Sequence, residues 1–423
     1  TLAFRFETAR LDRVVMLATG TQVAELEGGL VVALAVELPA NAPPRLAVEV
    51  AQAEFRWRGH AIRSLEPIRA RLDGEALTLE SVYLGIDGGA DELFVAGKVV
   101  LENDPRLDLH LQADLGVELV RPFVGDLELG GQLSLLADLG GTATAPELRG
   151  QGEWSDARFV PPTLPHVFDE GRALVLLYPN ALVLDRLAGQ FAGGEVDANG
   201  RVDFATGAPS SYRFELRARR FALRWPPGWQ TRGDADLALS STAAGRQITG
   251  VARFDRVYYF QDIDLSATEL LERILARSRV VLPETDELLA ATSLNVAMFA
   301  DESLRVRNNV ADLQASASLT LRGSLARPVV FGEVATLSGG HVDYAGNRYD
   351  VERGLLTFAD PTRIDPQLDV VARTKVDAYD VTFQLGGSLS RQRATFASDP
   401  PLADLEILAL LTTGAPPDSA LLS

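Results

Sequence analysis

Side chains that could support catalysis or metal binding are few and widely spaced in this sequence. The four histidines, His60, His110, His166 and His341, lie far apart, and we interpret them as surface or rim residues. The chain has no cysteine, which excludes disulfides, thiolate catalysis and cysteine-based zinc sites. Phosphate-binding loops, zinc-protease motifs and nucleophile elbows are also absent from the sequence. We therefore predict no catalytic residue, no metal site and no cofactor, and expect a protein that is not an enzyme.

Carboxylates and one aromatic cluster offer the remaining chemistry. The closely spaced acidic pairs are Asp234/Asp236, Asp262/Asp264 and Asp365/Asp369. Such pairs could hold calcium, or hydrolyse sugars from a groove, but chance proximity explains them better among 58 acidic residues. The aromatic run from Val257 to Phe260 could contact a ring-shaped ligand, although packing within the sheet is the simpler interpretation. A carbohydrate-active enzyme stays open as an alternative.

The elements that would position these residues are β-strands, because apolar and polar residues alternate throughout the chain. Leu107, Leu109 and Leu111 alternate with Asp108 and His110, for example. Period-two alternation indicates strands with one apolar and one wet face, which suits an antiparallel sheet. Glycine-, asparagine- and aspartate-containing turn signals, including Asp73-Gly74 and Asn199-Gly200, predict hairpins between the strands. Their spacing predicts about 35 strands, far more than the ~10 of an ordinary open sheet.

Internal repeats favour one long sheet over several closed sandwiches. The run Gly141-Thr142, with Pro146 and Gly150 after it, recurs with the same spacing from Gly323-Ser324. A longer repeat has a period of somewhat over ~100 residues. Repetition on this scale is typical of stacked, quasi-one-dimensional folds. We predict an all-β fold: a long, curled, mostly antiparallel repetitive sheet with one or two short amphipathic helices, at Ser266–Ser278 and Leu402–Thr412. We expect Ser398 or Asp399 to cap the second helix and Gly414 to end it.

Composition narrows the function further. Hydrophobic residues make up 47% of the 423 residues, yet no apolar run reaches the ~20 residues of a membrane-spanning helix. The net charge of −18 argues against nucleic acid as a partner, since phosphate binding needs clustered positive charge. The first residues lack a signal-peptide pattern, so we expect the chain to be a fragment of a longer protein.

The apolar strand face is the remaining candidate for function. It could form a closed core, which the general cost of exposed apolar surface favours, or it could line a solvent-sheltered trough for an apolar cargo. If it lines a trough, we expect the lining to include alternating residues from four regions of the chain. These are Leu107, Leu109, Leu111, Leu115, Phe214, Leu216, Leu313, Ala315, Leu319, Leu321, Val381, Phe383 and Leu385.

A family resemblance bears on this choice. It is carried by Arg305-Val306-Arg307-Asn308, Gly323-Ser324-Leu325 with Pro328, the stretch from Tyr349 to Phe358, Asp365-Pro366-Gln367-Leu368, and the run from Ser398 to Leu408. In order and spacing these elements closely resemble the C-terminal conserved domain of the translocation and assembly module TamB family. The upstream repeats resemble the AsmA-like repeats of the same bridge-like lipid transfer superfamily.

The resemblance implies a fold and a domain organisation. Family members form a taco-shaped sheet, a β-taco, whose groove is apolar inside. We expect an AsmA-like groove over 1–255, a helical interruption over 256–291, the conserved TamB groove over 292–401, and a helix and tail over 402–423. Members are envelope proteins of double-membraned bacteria, anchored in the inner membrane and extending across the periplasm, so a periplasmic location is expected here.

The resemblance also implies function and partners. Members carry phospholipids toward the outer membrane and assist outer-membrane protein and autotransporter assembly and secretion with a TamA-type Omp85 partner. We therefore expect phospholipid cargo, an inner-membrane anchor outside this chain, a possible TamA-type Omp85 partner and no nucleic acid. The first function to test is a lipid-conducting groove; the first alternative is a scaffold for outer-membrane protein assembly. A passive spacer or adhesin, with a closed core that excludes water and lipid, stays open as a further alternative.

Overall fold

A computed structural model describes the fold over most of the chain. The described residues are 2–8, 10, 26–37, 45–57, 59–88, 91–120, 128–160, 165–205, 208–242, 245–262, 290–344 and 346–414. The chain divides into two compact units. Unit 1 comprises Thr1–Pro162, Val167–Gln190 and Ala198–Ser210, and unit 2 comprises Thr163–His166, Phe191–Asp197 and Ser211–Ser423. The four-part division expected from the resemblance stays a prediction.

The described residues contain 24 strands, one α-helix and one short 3₁₀ turn. The first strands are β1 Leu2–Thr8, β2 Leu26–Glu37, β3 Arg45–Trp57, β4 His60–Ser64, β5 Ile68–Asp73, β6 Ala76–Ile86, β7 Asp91–Val100, β8 Arg106–Gly116, β9 Glu128–Gly141, β10 Pro146–Val160, β11 Phe168–Tyr178 and β12 Ala181–Phe191. The later strands are β13 Gly194–Ala205, β14 Ala208–Leu223, β15 Trp229–Thr242, β16 Gly245–Tyr259, β17 Thr292–Arg307, β18 Ala311–Gly323, β19 Pro328–Thr336, β20 Gly340–Tyr344, β21 Asn347–Phe358, β22 Gln367–Val376, β23 Tyr379–Ser388 and β24 Arg391–Asp399. The helix, α1, is Asp404–Thr413, and the 3₁₀ turn is Val117–Val120.

The fold-class prediction is confirmed: the protein is all-β, and each unit is built from strands that pair mostly antiparallel with their neighbours along the chain. The strands are fewer and longer than the turn spacing predicts, since β14 and β17 each reach 16 residues. One pairing within unit 2 is parallel, between β16 and β17. A parallel pair requires a crossover segment between its strands, and the predicted helical interruption falls at this position.

Each unit contains one strand position that is filled by two short strands. In unit 1, β4 and β5 both pair with β3 and with β6. In unit 2, β19 and β20 both pair with β18 and with β21. The backbone continues the ladder across each break, as Leu65 N–H donates to Tyr83 O and Leu337 N–H donates to Gln314 O, both at 2.8 Å. The same interruption therefore recurs in both units.

The short sequence repeat is a repeated turn in three dimensions. Gly141 pairs with Pro146, and Gly323 pairs with Pro328, so each repeat closes a β-hairpin. Both glycines adopt a positive φ, 79° and 86°, which a residue with a side chain rarely adopts. One copy lies in each unit, which supports the repetitive architecture predicted from the sequence.

One predicted hairpin is wrong. Asn199-Gly200 lies inside β13 rather than at a turn. A two-residue hairpin turn needs positive φ angles, and neither residue has one. The dipeptide instead continues the extended backbone of the strand, because the flanking residues alternate across it.

The C-terminal helix forms close to its predicted position. It begins at Asp404, after Pro400-Pro401, and ends at Gly414, whose φ of 75° and N–H bond to Leu410 O (2.9 Å) form the expected glycine cap. Neither Ser398 nor Asp399 caps it. Ala403 occupies that position, and the Glu406 carboxylate accepts its backbone N–H at 2.8 Å. The other predicted helix, Ser266–Ser278, lies outside the described residues.

Candidate functional site: the apolar face of the sheet

The strand registers align apolar residues from neighbouring strands into continuous rows. In unit 1 one such row, row A, crosses nine strands without a charged or polar residue. Its members, from β1 to β10, are Phe4, Leu34, Val48, Ala70, Leu79, Gly97, Leu109, Leu139 and Leu148. At about 4.8 Å between strands, row A is roughly 38 Å long.

The leucines of row A are only half-buried. Phe4 and Leu148 at its two ends are 57% and 37% exposed, and every member between them is intermediate in exposure. In a closed β-sandwich the side chains of the two inner faces interdigitate and lose contact with solvent. Among the described residues of unit 1, row A is therefore not covered as a sandwich core would be.

Unit 2 carries rows of the same kind. Row B contains Ala218, Ala235, Ala252, Met298, Leu319, Gly332 and Phe358. Row C contains Ala300, Ala317, Val334, Leu356, Leu368 and Gly387. The alanines are buried, whereas Met298, Leu319 and Phe358 are half-buried. The small side chains of these two rows are thus buried, and the longer apolar side chains extend beyond them.

Paired charges occupy the opposite face of the same strands. Arg69 and Glu49, which neighbour Ala70 and Val48 of row A, form an ion pair at 3.4 Å. His110 and Asp138 form a second pair beside Leu109 and Leu139. In unit 2, Arg353 bonds Asp369 at 3.0 Å, next to Leu368 of row C. Exposed pairs of this kind contribute only about 0–1 kcal/mol each. Their main consequence is that these strands are wet on one side and apolar on the other.

The structure places most of the predicted lining residues in such rows, within their respective units. Leu109 lies in row A and Leu319 in row B. The others pair with apolar residues or glycine on at least one neighbouring strand, in most cases as partly exposed side chains. They are Leu107, Leu111, Leu115, Phe214, Leu216, Leu313, Ala315, Leu321 and Leu385; Ala315 is fully buried.

Val381 and Phe383 differ from the rest in their contact with the cluster that includes α1. Val381 is completely buried within this cluster, together with Ile407 and Leu410, and Phe383 packs against it. Val381 therefore presents no open surface in this structure, whereas Phe383 stays half-exposed.

Sequence reasoning missed the row A residues of all eight other strands, including Leu34, Val48, Leu79 and Leu139. Leu46, Val48 and Val50 do alternate with Ala47 and Glu49, so β3 was accessible to the same pattern. β2 was not, because Val31, Val32, Ala33, Leu34 and Ala35 are apolar on both faces. Only the pairing register assigns Leu34 to row A.

Two of the four histidines make structural contacts. His60 bonds Asp87 at 2.6 Å, and His166 Nε2 accepts the Arg224 backbone N–H at 3.2 Å. His166 Nδ1 is buried without a hydrogen-bond partner, whereas the residue as a whole is half-exposed, as a rim residue would be. Within the described ranges, no group of three or more histidine, aspartate or glutamate side chains is arranged to hold a metal ion.

Among the acidic residues of the described chain, Asp360 has the most strongly shifted pKa. Its carboxylate accepts hydrogen bonds from the Thr362 hydroxyl (2.6 Å) and backbone N–H (2.8 Å), and from Arg363 (3.0 Å). These bonds, led by the Thr362 hydroxyl, lower the pKa of Asp360 to about 2. The contacts all lie within one turn between β21 and β22, so the shift stabilises that turn and does not indicate a reactive acid.

The fold and these rows define a repetitive β-sheet protein that carries a continuous apolar face in each unit. A family model, the TamB C-terminal domain, matches residues 185–421, more than half of the chain. The protein therefore belongs to the TamB family. No curated protein matches the chain.

Family membership supports a role in outer-membrane protein assembly or in lipid transport. TamB is a family of envelope proteins that act in transport and assembly, and it is not a known enzyme family. The helix in the described part of the chain is ten residues long, and no helix there has the length and hydrophobicity that a membrane crossing requires.

Proposed function

We propose that the apolar face conducts phospholipids between the inner and outer membranes, across the periplasm. The observation that carries this proposal is row A: nine apolar or glycine positions in register over roughly 38 Å, half-exposed. Each leaflet of a bilayer core is about 15 Å thick, so row A exceeds the length over which one acyl chain is normally sheltered. Rows B and C supply the same surface chemistry in unit 2.

The energetics favour a path of this kind. A two-chain phospholipid exposes about 30 methylenes in water, and each costs roughly 0.8 kcal/mol. Crossing water unaided therefore faces a barrier on the order of 25 kcal/mol, which is too high for membrane supply. An apolar face with one open side removes most of this barrier and leaves the headgroup hydrated. It needs no cofactor or reactive side chain, since specific contacts would trap the cargo.

Photo-crosslinking tests the proposal and separates it from its main alternative. A benzophenone amino acid replaces Leu109 on the apolar face, and a matched variant carries it at His110 on the opposite face of β8. We expect phospholipid adducts from the Leu109 position in cells and few from the His110 position. Polypeptide adducts at Leu109 would favour a scaffold instead, and equal lipid labelling at both positions would contradict a lipid path on this face.

Charge substitutions provide a functional test. We expect Leu111→Arg and Leu319→Arg to block lipid transfer while the sheet stays folded, because a guanidinium interrupts the apolar row. Gln112→Arg and Ser318→Arg, one residue away on the opposite face, serve as controls and should support normal transfer. Normal lipid flux with Leu111→Arg or Leu319→Arg would refute the conduit for the strand concerned.

A scaffold for outer-membrane protein assembly and secretion, with a TamA-type Omp85 partner, is the second candidate. One observation favours it: among the described strands, β24 pairs only with β23, so its other edge can accept a client strand. Arg391 and Arg393 carry positive charge on this edge strand, and such charges discourage unspecific pairing when no client is bound. In either case we place the protein in the periplasm.

A further inference from the structure

Helix α1 lies directly on the apolar face of unit 2. Ile407, Leu410 and Leu411 point into the sheet and are 1%, 0% and 7% exposed. The surface beneath them, here called the floor, consists of Tyr349, Val351, Ala372, Val376 and Val381, all of them buried. The best-buried side chains of unit 2 are therefore found where a helix, and not a second sheet, covers the strands.

The floor continues the surface of row C. On β22, Leu368 belongs to row C, and Ala372 and Val376 lie four and eight residues further along the same strand. Residues an even number apart in a strand share one face. Ala372 also pairs with Val351 and Phe383, so the floor extends over three strands. α1 thus occupies the part of the apolar face that follows row C.

The helix is held mainly by this packing. Ten residues are too few for a helix to be stable alone in water. A polar contact also joins it to the sheet, from Asn347 Nδ2 to Leu411 O at 2.7 Å. On its other side, Leu405 and Leu408 are 79% and 43% exposed, so apolar residues occur on both sides of the helix. A segment with these properties can leave the floor and still present an apolar surface.

We propose that the floor is an acyl-chain site and that α1 is a removable plug that fills it when no lipid is present. The inference rests on the proposed lipid-conducting function and adds the place where the path is closed. The floor offers aliphatic and aromatic contacts, and the side chains that fill it are the branched aliphatics Ile407, Leu410 and Leu411. An acyl chain supplies the same contacts, so lipid and helix compete for one surface.

Spin labelling measures the displacement directly, because the cysteine-free chain allows unique labels. Nitroxides are placed at Leu405→Cys on the exposed side of α1 and at Lys375→Cys on the outer face of β22, and their separation is measured by double electron–electron resonance. We expect one short distance without lipid and a second, longer population when oleoyl lysophosphatidylcholine is added below its micelle concentration. Bound lipid with an unchanged distance would overturn the plug and leave the conduit proposal standing.

Paired helix variants test the competition. Ile407→Asp with Leu410→Asp removes the buried anchors, and the control, Leu405→Asp with Leu408→Asp, adds the same charges to the exposed side. A plug that is open in about a tenth of molecules weakens the apparent affinity about tenfold. We therefore expect the first variant to bind the lysolipid about tenfold more tightly and the control to match the wild type.

Two controls keep the outcomes distinct. Circular dichroism verifies that the sheet of both variants is intact. Equal affinity in the wild type and in both variants, or no binding in any of them, would overturn the acyl-chain site at the floor. The conduit itself is judged separately, by crosslinking at Leu109 in unit 1, so failure of one proposal is not mistaken for failure of the other.

Discussion

Substituting arginine at two neighbouring positions of β18 distinguishes an open apolar face from a closed core. Leu319 lies in row B between Met298 and Gly332 and is half-buried. Ala317, two residues earlier on the same face, is 8% exposed and packs in a cluster with Val257 and Ala300. Both positions lie on the same strand and the same face, and both receive an arginine. The two variants therefore differ chiefly in how far neighbouring residues cover the substituted side chain.

The expected losses follow from burial. Full burial of a leucine contributes about 1.5–3 kcal/mol, so replacing a half-buried one costs about 1–1.5 kcal/mol. The long arginine stem keeps part of the apolar contact while its guanidinium reaches water. At Ala317 the same side chain must overpack a filled cluster and bury a charge, which costs about 4 kcal/mol or more. On the opposite face, Ser318→Arg should change stability by less than about 0.5 kcal/mol.

Hydrogen exchange of the full chain, read by mass spectrometry over β17–β19, gives the local free energies of opening. We expect the order Ala317→Arg, Leu319→Arg, Ser318→Arg, from the largest loss to the smallest. A loss at Leu319 as large as that at Ala317 would mean that a second layer covers row B. The interpretation of this face as an accessible path would then be refuted.

Three further predictions concern stability and ionisation. Gly332→Ala should lower the free energy of unfolding, measured by chemical denaturation, by about 2 kcal/mol more than Gly339→Ala. Both glycines have a positive φ, but only at Gly332 would a Cβ collide with a neighbouring strand. Thr362→Val should raise the pKa of Asp360 from about 2, as followed by NMR titration. Since that folded-state pKa lies below the ordinary value of about 4, the turn's stabilisation is complete above about pH 4 and is lost as the pH falls toward 2; in the variant the loss should be smaller and should end at a higher pH, because the folded-state pKa lies closer to the ordinary value. Phe168→Ala, at a 2% exposed ring in unit 1, should destabilise that unit by about 3–5 kcal/mol in hydrogen exchange, and a loss below 1 kcal/mol would contradict its assignment as a core residue.

Alternation of side chains was sufficient to predict the fold class and much of the apolar face. It succeeds because a strand in a one-layer sheet must separate its apolar and polar residues onto two faces, and strands such as β8 do so over their whole length. The Gly141 and Gly323 turns were recognisable because a positive φ restricts the residue type. Asn199-Gly200 has the same composition signal, but the strand context overrides it.

The position of α1 and the extent of row A required three-dimensional information. The sequence indicates that α1 is apolar on more than one side, but not which strands it covers, since that depends on contacts with residues such as Tyr349 and Val381 that are distant in sequence. Row A depends on the register of eight successive pairings. β2, which is apolar on both faces, carries no period-two signal from which its register could be read.

The parallel junction of β16 and β17 is the most demanding test of a continuous face in unit 2. β16 ends at Tyr259 and β17 begins at Thr292, so no short hairpin sets the register between them. A slip of one residue would exchange the two faces of the returning strand; in one direction it would bring Asn295 and Ala297 into the places of Val296 and Met298. The observed register instead aligns Ala252 with Met298. Row B therefore crosses the junction unbroken, which is what an acyl chain moving along this face requires and what a passive spacer would not need.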